Sequence, residues 1–118
     1  MTRDEILAMP AGREMKELIA ELVMGWERSV IWVDGVRKSA LVGPIGIDYY
    51  DQFPEWPTDI AAAWEVVEKL IEPHNCDCDL TTVVQGWRCV FFGDYSSTAE
   101  TAPLAICRAA LLAVMEAE

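Results

Sequence analysis

Positive charge is scarce in this sequence: 9 Lys and Arg against 20 Asp and Glu leave a formal net charge of −11. Sequence-independent nucleic-acid binding draws its affinity from Lys and Arg displacing counterions, so direct binding to a nucleic-acid backbone is excluded. Histidine is nearly absent, with His74 alone in the chain. No run approaches the ~18 consecutive apolar residues of a membrane span; the richest stretch, residues 102–114, is interrupted by Arg108. The first ten residues mix charges and lack an apolar run of signal-peptide length, which predicts a soluble intracellular protein with no membrane partner. In such a reducing compartment the four cysteines, Cys76, Cys78, Cys89 and Cys107, do not imply a disulfide framework. Internal repeats and low-complexity tracts are missing as well.

What is present is enough for one domain. The chain has 118 residues, 53% of them hydrophobic, and a chain of this size buries roughly 65% of its unfolded surface. Thr2 followed by Glu5 makes a capping box for a short first helix closed by Pro10 and Gly12. Met15, Leu18, Ile19, Leu22, Val23 and Trp26 form one helical stripe that Gly25 ends. A further helix has Thr58 as N-cap, Ile60, Ala63, Trp64, Val67, Leu70 and Ile71 as its apolar stripe, and Pro73 as its stop. The last helix starts near Thr101 with Pro103 in its first turn, and it is apolar almost all round, so it should be covered on more than one side.

Residues 29–36 and 39–47 alternate like strands and read as a hairpin around Gly35-Val36-Arg37-Lys38. Residues 80–84 and 87–92, joined by Gln85-Gly86, read as a second hairpin. The order α-ββ-α-ββ-α predicts an α+β fold, a layered sandwich with a small, mainly antiparallel sheet carrying helices on its faces.

Two helical segments, Thr58-Asp59-Ile60-Ala61-Ala62-Ala63-Trp64-Glu65-Val66-Val67-Glu68-Lys69-Leu70 and Glu100-Thr101-Ala102-Pro103-Leu104-Ala105-Ile106-Cys107-Arg108-Ala109-Ala110-Leu111-Leu112, carry a family likeness. They resemble the phage ABA sandwich domain of small bacteriophage and prophage proteins. Residues 1–10 and the segment from Gly12-Arg13-Glu14 to Val23-Met24-Gly25-Trp26 resemble the start of that domain, so the likeness covers nearly the whole length as one domain. The resemblance implies a three-layer α-β-α sandwich and a phage origin, and hence the host bacterial cytoplasm. It brings no catalytic or binding residues. Residues 36–56 and 73–86 are not matched by it, and variable loops on a common scaffold are where function is grafted.

His74, Cys76, Cys78 and Cys89 total four potential zinc ligands, but Cys-x-Cys is a residue short of the usual zinc knuckle, and Cys78 and Cys89 enter a hairpin whose alternate positions face opposite sides. His74 as a base for a nucleophilic Cys lacks any Gly-rich elbow. Asp48, Asp51, Glu55 and Asp59 are the densest carboxylates, without a fixed-position calcium loop. These patterns predict no enzyme, no cofactor and no metal site.

Residues 48–57 crowd Tyr49, Tyr50, Phe53 and Trp56 among Asp48, Asp51 and Glu55. Exposed aromatics there offer rigid contact area for a partner, while the bland reading folds them back over the sheet. Arg37, Lys38 and Arg88 are scarce cations suited to clamping phosphate, and Arg108 suits an ion pair with Glu100 or Glu116. Together with the phage setting that the resemblance implies, these residues lead to three expected functions. The first is a non-enzymatic inhibitor of a host defence protein with a basic surface. The second is a sponge for a small signalling nucleotide, stacked on Tyr49, Tyr50 or Trp56. The third is a structural or assembly accessory, with a homodimer or higher homo-oligomer open in each case.

Overall fold

The computed structural model describes residues 2–43, 48–49, 53–74, 78–84 and 86–116. The chain opens with α1, Arg3–Ala8, capped by the Thr2 hydroxyl, which accepts from the Glu5 amide at 3.2 Å. Next, α2, Arg13–Leu18, passes without a break into a π-helical segment, Ile19–Val23. Gly25, at φ +75°, turns the chain out of it, and the Trp26 amide closes the end on the Ala20 carbonyl at 2.9 Å. The wider π turn rotates the apolar stripe. Ala20 joins Met15, Ile19 and Val23 in the core, while Leu22, expected in that stripe, is exposed.

The strands form two separate three-stranded antiparallel sheets. In the first, β1, Glu27–Val33, pairs with β2, Val36–Val42, and β2 with the two-residue β3, Asp48–Tyr49. The turn between β1 and β2 is Asp34-Gly35, with φ of 50° and 77°. Two successive left-handed residues are what a tight hairpin turn needs. The expected connection at Gly35-Val36-Arg37-Lys38 is therefore corrected, and Arg37 and Lys38 are strand residues.

In the second sheet β4, Cys78–Val83, pairs with β5, Gly86–Phe91, and β5 with β6, Tyr95–Ala99. A Cβ at Gly86 would stand 2.2 Å from the Ala99 carbonyl oxygen, so β5 and β6 approach here as only glycine permits. Relative to the predicted order, each hairpin has gained a strand. β6 escaped notice because Tyr-Ser-Ser-Thr-Ala carries almost no apolar alternation, although Phe92 and Gly93, both at positive φ, mark the turn before it.

Asp59, not Thr58, caps α3, Ile60–His74: its Oδ1 accepts from the Ala61 amide at 3.0 Å and its carbonyl from the Ala63 amide at 2.9 Å. That helix ends one residue past Pro73. Finally α4, Ala102–Glu116, runs through the centre of the molecule. Sheet strands β5 and β6 cover one side of it, and α3, the π segment and α1 cover others. Nearly all its residues from Ala102 to Ala113 are buried, as a helix apolar all round requires. The whole is an α+β sandwich. Among the described residues no helix is long and apolar enough to cross a membrane.

Arg108 is the charge within that central helix. Its Nε and Nη2 donate to the Met9 carbonyl at 3.0 and 2.8 Å, and its Nη1 to the Thr98 carbonyl at 3.3 Å. One guanidinium so ties the end of α1 and strand β6 to α4. Burial draws its pKa below the ordinary value, against the opposing field of Glu100. Replacing Arg108 by Met removes these charge-assisted donors and strands the two carbonyls. The expected loss is about 1–3 kcal/mol, read as a lower urea midpoint at unchanged slope.

Candidate binding surface

Two rings of the aromatic segment, Phe53 and Trp56, turn inward. Phe53 and Trp56 are buried, Trp56 completely, and both meet Trp26: Phe53 stacks at 6.5 Å between ring centroids and Trp56 lies edge-on at 5.3 Å. Phe53 and Trp56 are therefore not exposed contact residues, which corrects that expectation. Two large rings beside a third gain more from leaving water than from waiting for a partner. The Trp56 Nε1 has no hydrogen-bond acceptor among the described residues. Asp48 and Tyr49 form β3, while Tyr50 and Asp51 lie outside the described residues.

Glu55 points outward and is engaged locally. Its Oε1 accepts from Lys16 Nζ at 2.8 Å and its Oε2 from the Thr58 hydroxyl at 3.0 Å, while its carbonyl receives the Thr58 and Asp59 amides at 3.1 and 2.8 Å. The Lys16 and Thr58 hydrogen bonds hold its carboxyl below the usual pKa. The segment is thus a staple between α2 and the start of α3. Glu55 is thus paired and Asp59 caps α3, and among the described residues no group of three His, Cys, Asp or Glu side chains is placed to hold a metal.

The remaining candidates are divided between the sheets. Arg37 and Lys38 lie on β2, Arg37 across from Trp32. Arg88 lies on β5, exposed, and its Nε donates to the Ser96 hydroxyl at 3.2 Å. Of the thiol set, Cys76 lies outside the described residues. Cys78 and Cys89 meet across the β4–β5 pair, sulfur to sulfur at 3.9 Å. The hydrogen bond between the two thiols lowers the Cys78 pKa, and the same bond, with burial, raises that of Cys89.

Exposed apolar side chains, among them Val83 and Val84 at the end of β4, include two groups with a tryptophan that sequence reasoning did not select. On the β1–β2 hairpin Val30, Trp32 and Val36 are exposed, Trp32 by 70%. On α3 Ile60 and Trp64 are each about half exposed, although both were expected in the buried stripe. At about 100° per residue that stripe is too broad for one contact. Ala63, Val66, Val67 and Leu70 take the core side, and Ile60, Trp64 and the half-buried Ile71 fall on its outer edge. A groove of about 370 Å³ lies there between Trp64, Val67, Glu68 and Ile71, with exposed Glu65 nearby on the same helix. The width of the stripe was the signal that could have found it.

A family profile described as the phage ABA sandwich domain matches residues 17–111. A solved structure, the crystal structure of a phage protein from Bacillus cereus ATCC 14579, is similar over 92% of this chain and 90% of that one, at 29% identity and a TM-score of 0.66. Comparison with curated proteins gave no match.

Two outcomes follow from the burial. Trp56→Ala should cost about 3–5 kcal/mol in a denaturant titration, whereas Glu55→Ala should move the midpoint far less. Burial pushes the Cys107 thiol from the ordinary 9.0 up to about 12. The folded chain then holds that proton more tightly than the unfolded one, so this contribution to stability is intact below pH 9 and is lost as pH rises toward 12. Cys107→Ala should flatten that part of the melting-temperature profile.

Proposed function

Because the chain belongs to the phage ABA sandwich domain family, we propose that it is a phage-encoded, non-enzymatic binding protein that inhibits a component of host antiviral defence. The contact surface in this reading is the outer edge of α3, and the partner is a host protein with a basic patch. The observation that carries it is the half-exposed Trp64 and Ile60 beside Glu65 and Glu68, in a chain of net charge −11. An aromatic anchor next to a groove supplies affinity, and the surrounding acid speeds encounter with a basic surface. An acidic surface containing an aromatic was expected at residues 48–57; α3 offers the same chemistry with its side chains in the solvent.

The nucleotide-sponge reading has weaker support. It asks Arg37, Lys38 and Arg88 to converge on phosphate, and they belong to different sheets, while Trp56, one of its stacking rings, is buried. The test is phage plating on bacteria that carry individual defence systems and express this protein. Wild type should restore plating against at least one system, and Trp64→Lys or the pair Glu65→Lys and Glu68→Lys should abolish the effect at equal expression. Restoration by none of the systems, or equal restoration by every variant, would sink the proposal.

A further inference from the structure

Two thiols meet inside the second sheet. Cys89 stands opposite Leu80 on β4 and Ser97 on β6, while Cys78 stands opposite Phe91. The two cysteines therefore share one face of the sheet, a single two-residue step out of register. Their sulfurs lie 3.9 Å apart, within hydrogen-bond reach. Their surroundings differ. Cys89 is on the middle strand and fully buried, whereas Cys78 is the first residue of β4, at the end of the sheet among the described residues, and is partly exposed.

That difference decides which sulfur keeps the shared proton. A thiolate is costly where water is excluded and less so where water reaches it, so Cys89 retains its hydrogen and donates it to Cys78. The pKa directions agree. That bond draws Cys78 below its ordinary value, against its own partial burial and the charge of Asp79, and it pushes Cys89 up together with burial. Asp79 is exposed on the opposite face of β4, where solvent screens it. Cys107, the third described thiol, is fully buried on α4 and, with its pKa pushed up to about 12, remains protonated.

We propose that Cys78 is a modification site for low-molecular-weight disulfides, with Cys89 as the hydrogen-bond donor that readies its sulfur for attack. The Cys78 thiolate attacks one sulfur of the incoming disulfide, and the bond between the two sulfurs of that molecule breaks. The other sulfur leaves with the electron pair and takes up a proton from solvent, balancing the one that Cys78 gave up. One protein thiol and one disulfide thus become a mixed disulfide and one free thiol. Cys89 does not then displace the adduct. Cross-strand neighbours one step out of register have Cα atoms about 7–8 Å apart, beyond the ~6.8 Å that a protein disulfide spans. Joining Cys78 to Cys89 would require β4 to shift, and its continuous pairing with β5 from Cys78 to Val83 opposes that. The adduct persists until an external thiol removes it.

Incubation of the folded chain with oxidised glutathione, followed by intact-mass and fragment mass spectrometry, tests the proposal. A glutathione should map to Cys78 in the wild type and in Cys76→Ser alike, and dithiothreitol should remove it. Cys78→Ser should lose that adduct while Cys89 and Cys107 stay unmodified. Cys89→Ala should slow the modification of Cys78, by about threefold for each tenfold loss of thiolate, with unchanged circular dichroism. Cys89→Ser keeps a donor at that place and should restore most of the rate. The two variants lose the same sulfur, so this recovery separates hydrogen bonding from packing. No adduct at Cys78, its loss in Cys76→Ser, an undiminished rate in Cys89→Ala, no recovery in Cys89→Ser, or an internal Cys78–Cys89 disulfide as the product would each overturn the proposal.

Discussion

The structure depends on the burial of one helix. α4 carries Arg108 as its sole charge before Glu116 and is apolar on every side, so it has no face that water can solvate without cost. A single sheet or a single helix pair covers only half of such a rod. The second sheet takes one side of α4, and α1, the π segment and α3 take the others. Arg108 is tolerated at the margin of this shell because its donors end on the Met9 and Thr98 carbonyls, which turns a partly buried charge into a clasp between the layers.

A second consequence of that burial is the inward turn of the aromatic segment. Trp26 follows directly on the Gly25 turn at the end of the π segment and offers a large ring to whatever crosses it. Phe53 and Trp56 meet that ring, while Glu55 between them projects outward to Lys16. A local sequence that alternates rings and acids thus folds as core and staple. The concentration of acid and aromatics in residues 48–57 is real, but Phe53, Trp56 and Glu55, three of the side chains that looked suited to a partner, already have one inside the molecule.

Among the described residues, surfaces suited to recognition lie where the fold has more apolar material than it can cover. The α3 stripe is wider than the contact it makes, so Trp64 and Ile60 remain at its edge beside the acids of the same helix. The β1–β2 hairpin packs mainly on itself, so Val30 and Trp32 remain outside the core.

Local signals were legible where a residue type has one physical reason to be where it is. Thr2 caps, Gly25 and Pro103 bound their helices, and the all-round apolarity of the last helix announced its central place. The Asp34-Gly35 turn was equally legible in principle, since that dipeptide is a strong hairpin signal, and attention to it would have put Arg37 and Lys38 on the strand. Less legible was β6, whose serines and threonine are held by pairing with β5 and by the inward step of Tyr95, Ser97 and Ala99, not by apolar content. By itself, then, the sequence determined the helices, the two hairpins, the acidic character and the family, because capping, turn chemistry and periodicity act within a few residues. Only the tertiary structure decided which of several apolar residues face water. Trp56 and Trp64 are the same amino acid eight positions apart; one meets Trp26 and the other lies at the margin of α3, and that difference is set by neighbours distant in the chain.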